Sequence, residues 1–170
     1  EAMSHRLVIM RHAKSSWKEP LPDHQRPLNK RGRRDGKAAG EWLSEHVGTI
    51  DRVLSSTSTR TRLTWDRIEA GGGRAGQITF HDALYGGSTE DFLRLLYTLP
   101  ESVGTALVLA HWPGVEEAVR ELAPRDDNPG WVGIDTKFPT SALALLDVPG
   151  TWADLAPEGA RLLDYVVPRG

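Results

Sequence analysis

Four residues in three separated segments carry chemistry that suits a phosphoryl group. Arg11 and His12 sit in RLVIMRHAKSSW, Arg60 in LSSTSTRTRLTW, and His111 in LVLAHWPGVEE. Each is commonplace alone, because a histidine at the end of an apolar run is usually a hydrogen-bonded structural residue and an arginine near a helix start is usually solvated. Brought together, two guanidiniums and a helix N-terminus match the oxygens of a dianion with bidentate donors and aligned amides. A plain phosphate cradle needs no imidazole, so two histidines add a nucleophile or a proton carrier.

Those residues converge only if the fold brings the segments to one edge. The apolar runs alternate strand and helix. Strands are expected at Leu7 to Met10, Asp51 to Ser56, Gln77 to Phe80, Thr105 to Ala110, Ser141 to Val148 and Arg161 to Pro168. Helices are expected from Lys30 to about His46 after an Asn29 cap, from a Ser58 cap through Ile68, from Ser88 to Leu99, and from Pro113 to Leu122. PRDDNPGWVGID reads as loop. Alternation of this kind predicts a three-layer α/β/α sandwich with a mainly parallel central sheet, as one domain from Met3 to Gly170. Glu1 and Ala2 precede a Met3 that reads as a native start, and they are taken as an expression remnant. In an open α/β sheet ligands bind outside the carboxyl ends of the strands, where Arg11-His12, Ser55 to Arg60 and His111 all fall.

The segments LVIMRHAKSSW, RPLNKRGRRDG, LSSTSTRTRLTW, LYGGSTEDFLRLL, LVLAHWPGVEEAVREL and KFPTSALALLDV, in order over nearly the whole chain, resemble the histidine phosphatase superfamily. The similarity is to its small single-domain bacterial phosphohistidine phosphatase (SixA-like) branch. The resemblance implies a phosphoglycerate mutase-like fold and a metal-independent, cofactor-free hydrolase. The Arg-His-Gly signature maps onto Arg11, His12 and Ala13, the second phosphate arginine onto Arg60, and the second histidine onto His111. His12 would be phosphorylated transiently, held neutral by a pKa that neighbouring positive charge lowers. Arg11, Arg60 and His111 would bind the equatorial oxygens.

Two departures from the pattern bear on substrate. Trp112 stands where asparagine is more familiar, either narrowing the pocket, offering a stacking surface, or packing under its loop. Larger relatives carry a carboxylate in the region of LYGGS, where this chain has Gly86 and Gly87; Asp82, Glu90 and Asp91 flank the gap as candidate general acids. A phosphoramidate needs such an acid less than an alkyl ester does, because a protonated imidazole leaves with a pKa near neutrality. Phosphohistidine on a protein is therefore the expected substrate, with a small phosphorylated molecule as the alternative and a non-catalytic phosphate-binding module as a second. Arg26, Lys14, Ser15 and Trp112 are the candidate substrate contacts, and the basic face from Arg31 to Lys37 would attract an acidic partner if it borders the site.

Composition excludes other classes. The chain has 170 residues, a net charge of −2 and no cysteine, which removes disulfides and thiol catalysis. No run is long enough to span a membrane, no secretory core is visible, and the basic run lacks interleaved aromatics for nucleic acid, so a cytoplasmic protein is expected. GGGRAG fits a dinucleotide pattern only formally, since it follows a helix and precedes a strand; a flexible connector is expected there. His5, His24, His46 and His81 are expected at the surface, and a ribonuclease-like set of His12, His111 and Lys14 leaves Arg60 unexplained.

Overall fold

Six strands form the sheet: β1 (Ser4–Arg11), β2 (Ile50–Ser56), β3 (Ala75–His81), β4 (Thr105–Ala110), β5 (Leu143–Pro149) and β6 (Arg161–Val166). Their order is β3-β2-β4-β1-β5-β6 in the computed structural model, which describes residues 4–170. The expected start at Met3 and the two residues before it lie outside the described residues. β1 pairs parallel with β4, β4 with β2, and β2 with β3, while β5 is antiparallel to both β1 and β6. Only β5 runs against the rest.

The helices are α1 (Lys30–His46), α2 (Thr59–Ala70), α3 (Thr89–Leu96), α4 (Gly114–Leu122) and α5 (Gly130–Thr136). From β1 to β3 the chain steps one way across the sheet, and from β3 to β5 it steps back. Right-handed crossovers then place α1 and α2 on one face and α3 on the other, where α4 and α5 also pack. The apolar residues sort accordingly. Val8, Met10, Leu107 and Leu109 pack with Leu43, Trp65 and Ile68, whereas Leu7, Ile9, Ala106 and Val108 pack with Phe92, Val115, Val119 and Trp131. Every residue of β4 is buried, as its unbroken apolar run requires of a central strand.

Caps fix where the helices begin. Asn29 accepts from the Gly32 N–H, Ser58 from that of Thr61, and Ser88 with Asp91 forms a reciprocal capping box. Gly32 and Gly40 let α1 lie against its neighbours: a Cβ on Gly40 would stand 2.0 Å from the Ile68 carbonyl oxygen of α2, and one on Gly32 would stand 2.1 Å from that of Lys14.

Several expectations are corrected. The stretch expected as loop contains α5, because Trp131 and Ile134, one helical turn apart, are both buried; the surrounding Asp, Asn, Pro and Gly hid that pair. His5 is 1% exposed rather than on the surface, packed on Trp152 and bonded to the Gly150 and Glu101 carbonyls. His24 and His81 are half-buried, and His46 is exposed as expected. GGGRAG is a tight turn followed by a strand start: the amides of Gly71, Gly72 and Gly73 bond back to the end of α2, and Ala75 and Gly76 already belong to β3. α3 ends at Leu96, with separate turns carrying the chain to Leu99, and β6 stops at Val166.

Candidate active site

β1 and β4 are neighbours whose chains leave toward opposite faces, into α1 and α4 respectively, and this opens a crevice at their carboxyl ends. His12 follows β1 and His111 follows β4. Their ring centroids lie 5.2 Å apart, the planes inclined at 54°.

The backbone around His12 is fastened on three sides. Its N–H donates to the Ala110 carbonyl at 3.1 Å, its carbonyl accepts from Ser141 at 2.9 Å, and the Ala13 N–H donates to Thr64 Oγ1 at 2.9 Å. Thr64 in turn donates to the Arg60 carbonyl at 2.7 Å, so one hydroxyl ties the His12 segment to the helix that carries Arg60. The ring Nδ1 lies 2.7 Å from the Ala13 carbonyl oxygen. A carbonyl only accepts, so Nδ1 carries the hydrogen and Nε2 is bare. Burial above all, with the positive charges of His111, Arg60 and Arg11 adding to it, pushes the His12 pKa down to about 3 against the opposing pull of the Ala13 bond. The neutral imidazole expected from charge alone is thus chiefly a product of burial.

His111 is placed differently. Its Nε2 is 2.9 Å from Ser56 Oγ, which accepts from the Ser58 N–H; assigning the Ser56 hydroxyl as donor to Nε2 leaves the hydrogen on Nδ1. That Nδ1 is buried and has no partner among the described residues. Burial first, then Arg60, lowers the His111 pKa to about 4. The ring also meets Tyr85 edge-on, at 5.3 Å between centroids.

Both arginines are anchored by one end and unpartnered at Nε. Arg11 Nη1 donates to the Phe138 carbonyl at 2.9 Å, and its guanidinium lies 5.8 Å from the Trp112 ring centroid. Arg60 Nη1 and Nη2 donate to the backbone carbonyl and Oδ2 of Asp23 at 2.7 and 2.9 Å. The Nε atoms of both are buried without a partner among the described residues. Two guanidinium nitrogens and one imidazole nitrogen are therefore left without an acceptor among the described residues, on three residues whose charges act on His12.

The remaining candidates are placed as follows. Trp112 is exposed, donates to Glu116 Oε1 at 2.9 Å, and separates two cavities of about 190 and 350 Å³, the first bordered by Tyr85, Gly86 and His111 and the second by Arg11 and Phe138. Ser15 accepts from buried Arg26, which reaches Asp23 rather than opening onto the crevice. Lys14 is exposed, and its backbone carbonyl accepts from Asn29 at the start of α1. Asp82 accepts from Thr57. Glu90 lines a separate groove with Arg94, Tyr97 and Arg120, and Asp91 is engaged in the cap of α3. No group of three or more His, Asp or Glu side chains suited to a metal ion occurs among the described residues. Sequence reasoning missed Asp23, Ser56, Thr64 and Tyr85. The only available signals were the i,i+3 spacing of Asp23 to Arg26 and the place of Tyr85 within LYGGS.

Residues 7–86 match the family described as the histidine phosphatase superfamily (branch 1). An uncharacterised protein of Mycobacterium tuberculosis is 37% identical over 162 residues, covering 94% of this chain and 100% of the relative. A solved structure from Nakamurella multipartitia, described as a candidate phosphohistidine phosphatase SixA, is 32% identical, with a TM-score of 0.86 over 97% of this chain and 96% of that one. Another described in the same way, from Agrobacterium tumefaciens, is 26% identical, with a TM-score of 0.77 over 96% and 98%. With fold, order of motifs and near-complete coverage in agreement, the chain belongs to the histidine phosphatase superfamily.

Proposed function

We propose that this phosphatase removes the phosphoryl group from phosphohistidine on a protein through a covalent intermediate on His12, in the cytoplasm and without a metal. The observation that carries the reading is the bare Nε2 of buried, neutral His12 beside the unpartnered Nε atoms of Arg11 and Arg60 and Nδ1 of His111.

In the first step Nε2 attacks phosphorus in line, the P–Nε2 bond forms, and the bond from phosphorus to the substrate imidazole breaks. The leaving ring departs neutral when its other nitrogen already carries a proton. Arg11, Arg60 and His111 donate to the equatorial oxygens as charge gathers on them. In the second step a water oxygen attacks phosphorus, the P–Nε2 bond breaks, and orthophosphate leaves with one water proton released to solvent. Preference for an N–P bond is supported by the engagements of the three acids that flank Gly86 and Gly87: Asp82 with Thr57, Asp91 in its cap, and Glu90 in a different groove.

Rapid mixing with a radiolabelled phosphohistidine protein, quenched in alkaline detergent because N–P bonds break in acid, tests the reading. Label is expected on His12, none on His12→Ala, and full activity in a chelator. No label on wild-type protein during turnover, or faster turnover of sugar phosphates than of phosphohistidine, overturns it.

A further inference from the structure

Asp23 opens a 3₁₀ turn (Asp23–Gln25) and holds Arg60 with two acceptors at once. Its backbone carbonyl accepts from Nη1 at 2.7 Å and its Oδ2 from Nη2 at 2.9 Å. Tyr85 donates its hydroxyl hydrogen to the same Oδ2, and Arg26 Nε donates to Oδ1 at 3.2 Å. Arg26 is fixed in its turn, donating to Ser15 Oγ at 2.8 Å and the Ser16 carbonyl at 3.1 Å, with its guanidinium 3.5 Å from the Trp17 ring centroid. The Tyr85 bond first, then those from Arg60 and Arg26, hold the Asp23 carboxyl well below the usual carboxylate range. It is an anion at neutral pH, which removes it as a general acid.

A guanidinium offers two bidentate edges: end-on, through Nη1 and Nη2, and side-on, through Nε and the second hydrogen of Nη2. Asp23 occupies the end-on edge of Arg60. The side-on edge is what remains, since Nε is buried and unpartnered among the described residues, and the charge of Arg60 acts on both His12 and His111. The Arg60 side chain, 8% exposed, requires a counter-charge to stay buried. Supplied through the end-on edge, that charge leaves the other edge for a ligand.

We propose that Asp23 is the positioning residue of the phosphoryl site, clamping the end-on edge of Arg60 so that its side-on edge meets the phosphoryl oxygens, with Tyr85 and Arg26 bracing the clamp. The inference rests on His12 being the phosphoryl acceptor. It also separates two effects. A fixed fork gains strength as charge moves onto the equatorial oxygens, so the clamp raises turnover. Its negative charge opposes ground-state binding of a dianion, so it does not tighten phosphate.

Asp23→Asn and Tyr85→Phe in the full chain, assayed on phosphoimidazole and for inhibition by orthophosphate, test the assignment. Asp23→Asn is expected to lose about tenfold or more in kcat, as misplacement of a catalytic donor does, while the inhibition constant of orthophosphate stays unchanged or falls. Tyr85→Phe keeps both Asp23 contacts to Arg60 and is expected to show a smaller loss of the same kind; it serves if Asp23→Asn does not fold. A kcat within twofold of wild type in the folded variant overturns the proposal, as does phosphate inhibition that weakens in step with kcat, which a merely structural role would produce. Labelling of His12 in wild-type protein is read separately: its absence removes the phosphohistidine mechanism, whereas labelling with undiminished turnover in the variants removes only the role of Asp23.

Discussion

Nδ1 of His12 donates to the carbonyl oxygen of its neighbour Ala13 at 2.7 Å, and this bond leaves Nε2 without a hydrogen. Burial then keeps the ring neutral, with a pKa pushed down to about 3 from an ordinary 6.5. The two effects together make an imidazole lone pair available at neutral pH.

The same shift makes folding stability depend on pH. Between about 3 and 6.5 the unfolded chain holds a proton on His12 that the folded one lacks, so stability rises with pH across that window and is lost as pH falls through it. The slope is about 1.4 kcal/mol per pH unit for one such group, or about 2 kcal/mol between pH 6.5 and pH 5. His111, lowered to about 4, acts in the same direction. In urea unfolding, His12→Gln is expected to lose less stability than wild type between pH 7 and pH 5. Parallel pH slopes would contradict a buried neutral imidazole.

Thr64 joins the two motif segments through one hydroxyl, accepting from the Ala13 N–H and donating to the Arg60 carbonyl. Thr64→Val keeps the shape and leaves the Ala13 N–H buried without an acceptor. The expected cost is about 1–3 kcal/mol in unfolding free energy, with a drop in kcat because His12 and Arg60 lose their shared tether. A variant of unchanged stability would mean that the Ala13 amide finds another partner.

The sheet was legible because its strands are short apolar runs and Asn29, Ser58 and Ser88 are strong caps; these features are local and depend little on the rest of the chain. Arg11, His12, Arg60 and His111 fall at strand ends and helix starts, so topology alone brings them together. Asp23 was not legible. It lies in a polar stretch without periodicity, and its importance comes from contacts across 37 residues to Arg60 and 62 to Tyr85. His5 was misjudged for a related reason: a histidine near a strand start looks like surface until Trp152, Gly150 and Glu101 close around it.

The start of α1 presses on the loop that follows His12, and Gly32 makes the contact possible. A Cβ there would stand 2.1 Å from the Lys14 carbonyl oxygen, itself the acceptor of the Asn29 N–H at 3.0 Å. Gly32→Ala therefore sets a helix-propensity gain of up to about 1 kcal/mol against backbone overlap costing about 1–3 kcal/mol or more. A lower thermal midpoint and reduced turnover are expected, the second because the displaced loop carries Ala13 and the His12 main chain. A more stable variant would show that the loop yields freely.

Leaving-group chemistry offers the sharpest test of substrate class. Asp82 is exposed and engaged with Thr57, and Glu90 points into a groove lined by Arg94 and Arg120. Neither stands ready to protonate a departing oxygen, so Asp82→Asn and Glu90→Gln are expected to retain turnover of phosphoimidazole within about threefold, far short of the 10²–10⁴-fold that general acid catalysis contributes. Across a series of aryl and alkyl phosphates, kcat/KM should then fall steeply as the leaving group becomes more basic, because neither Asp82 nor Glu90 supplies its proton. A flat dependence on leaving-group basicity, abolished by Asp82→Asn, would instead make Asp82 the acid and an unactivated phosphate ester the natural substrate.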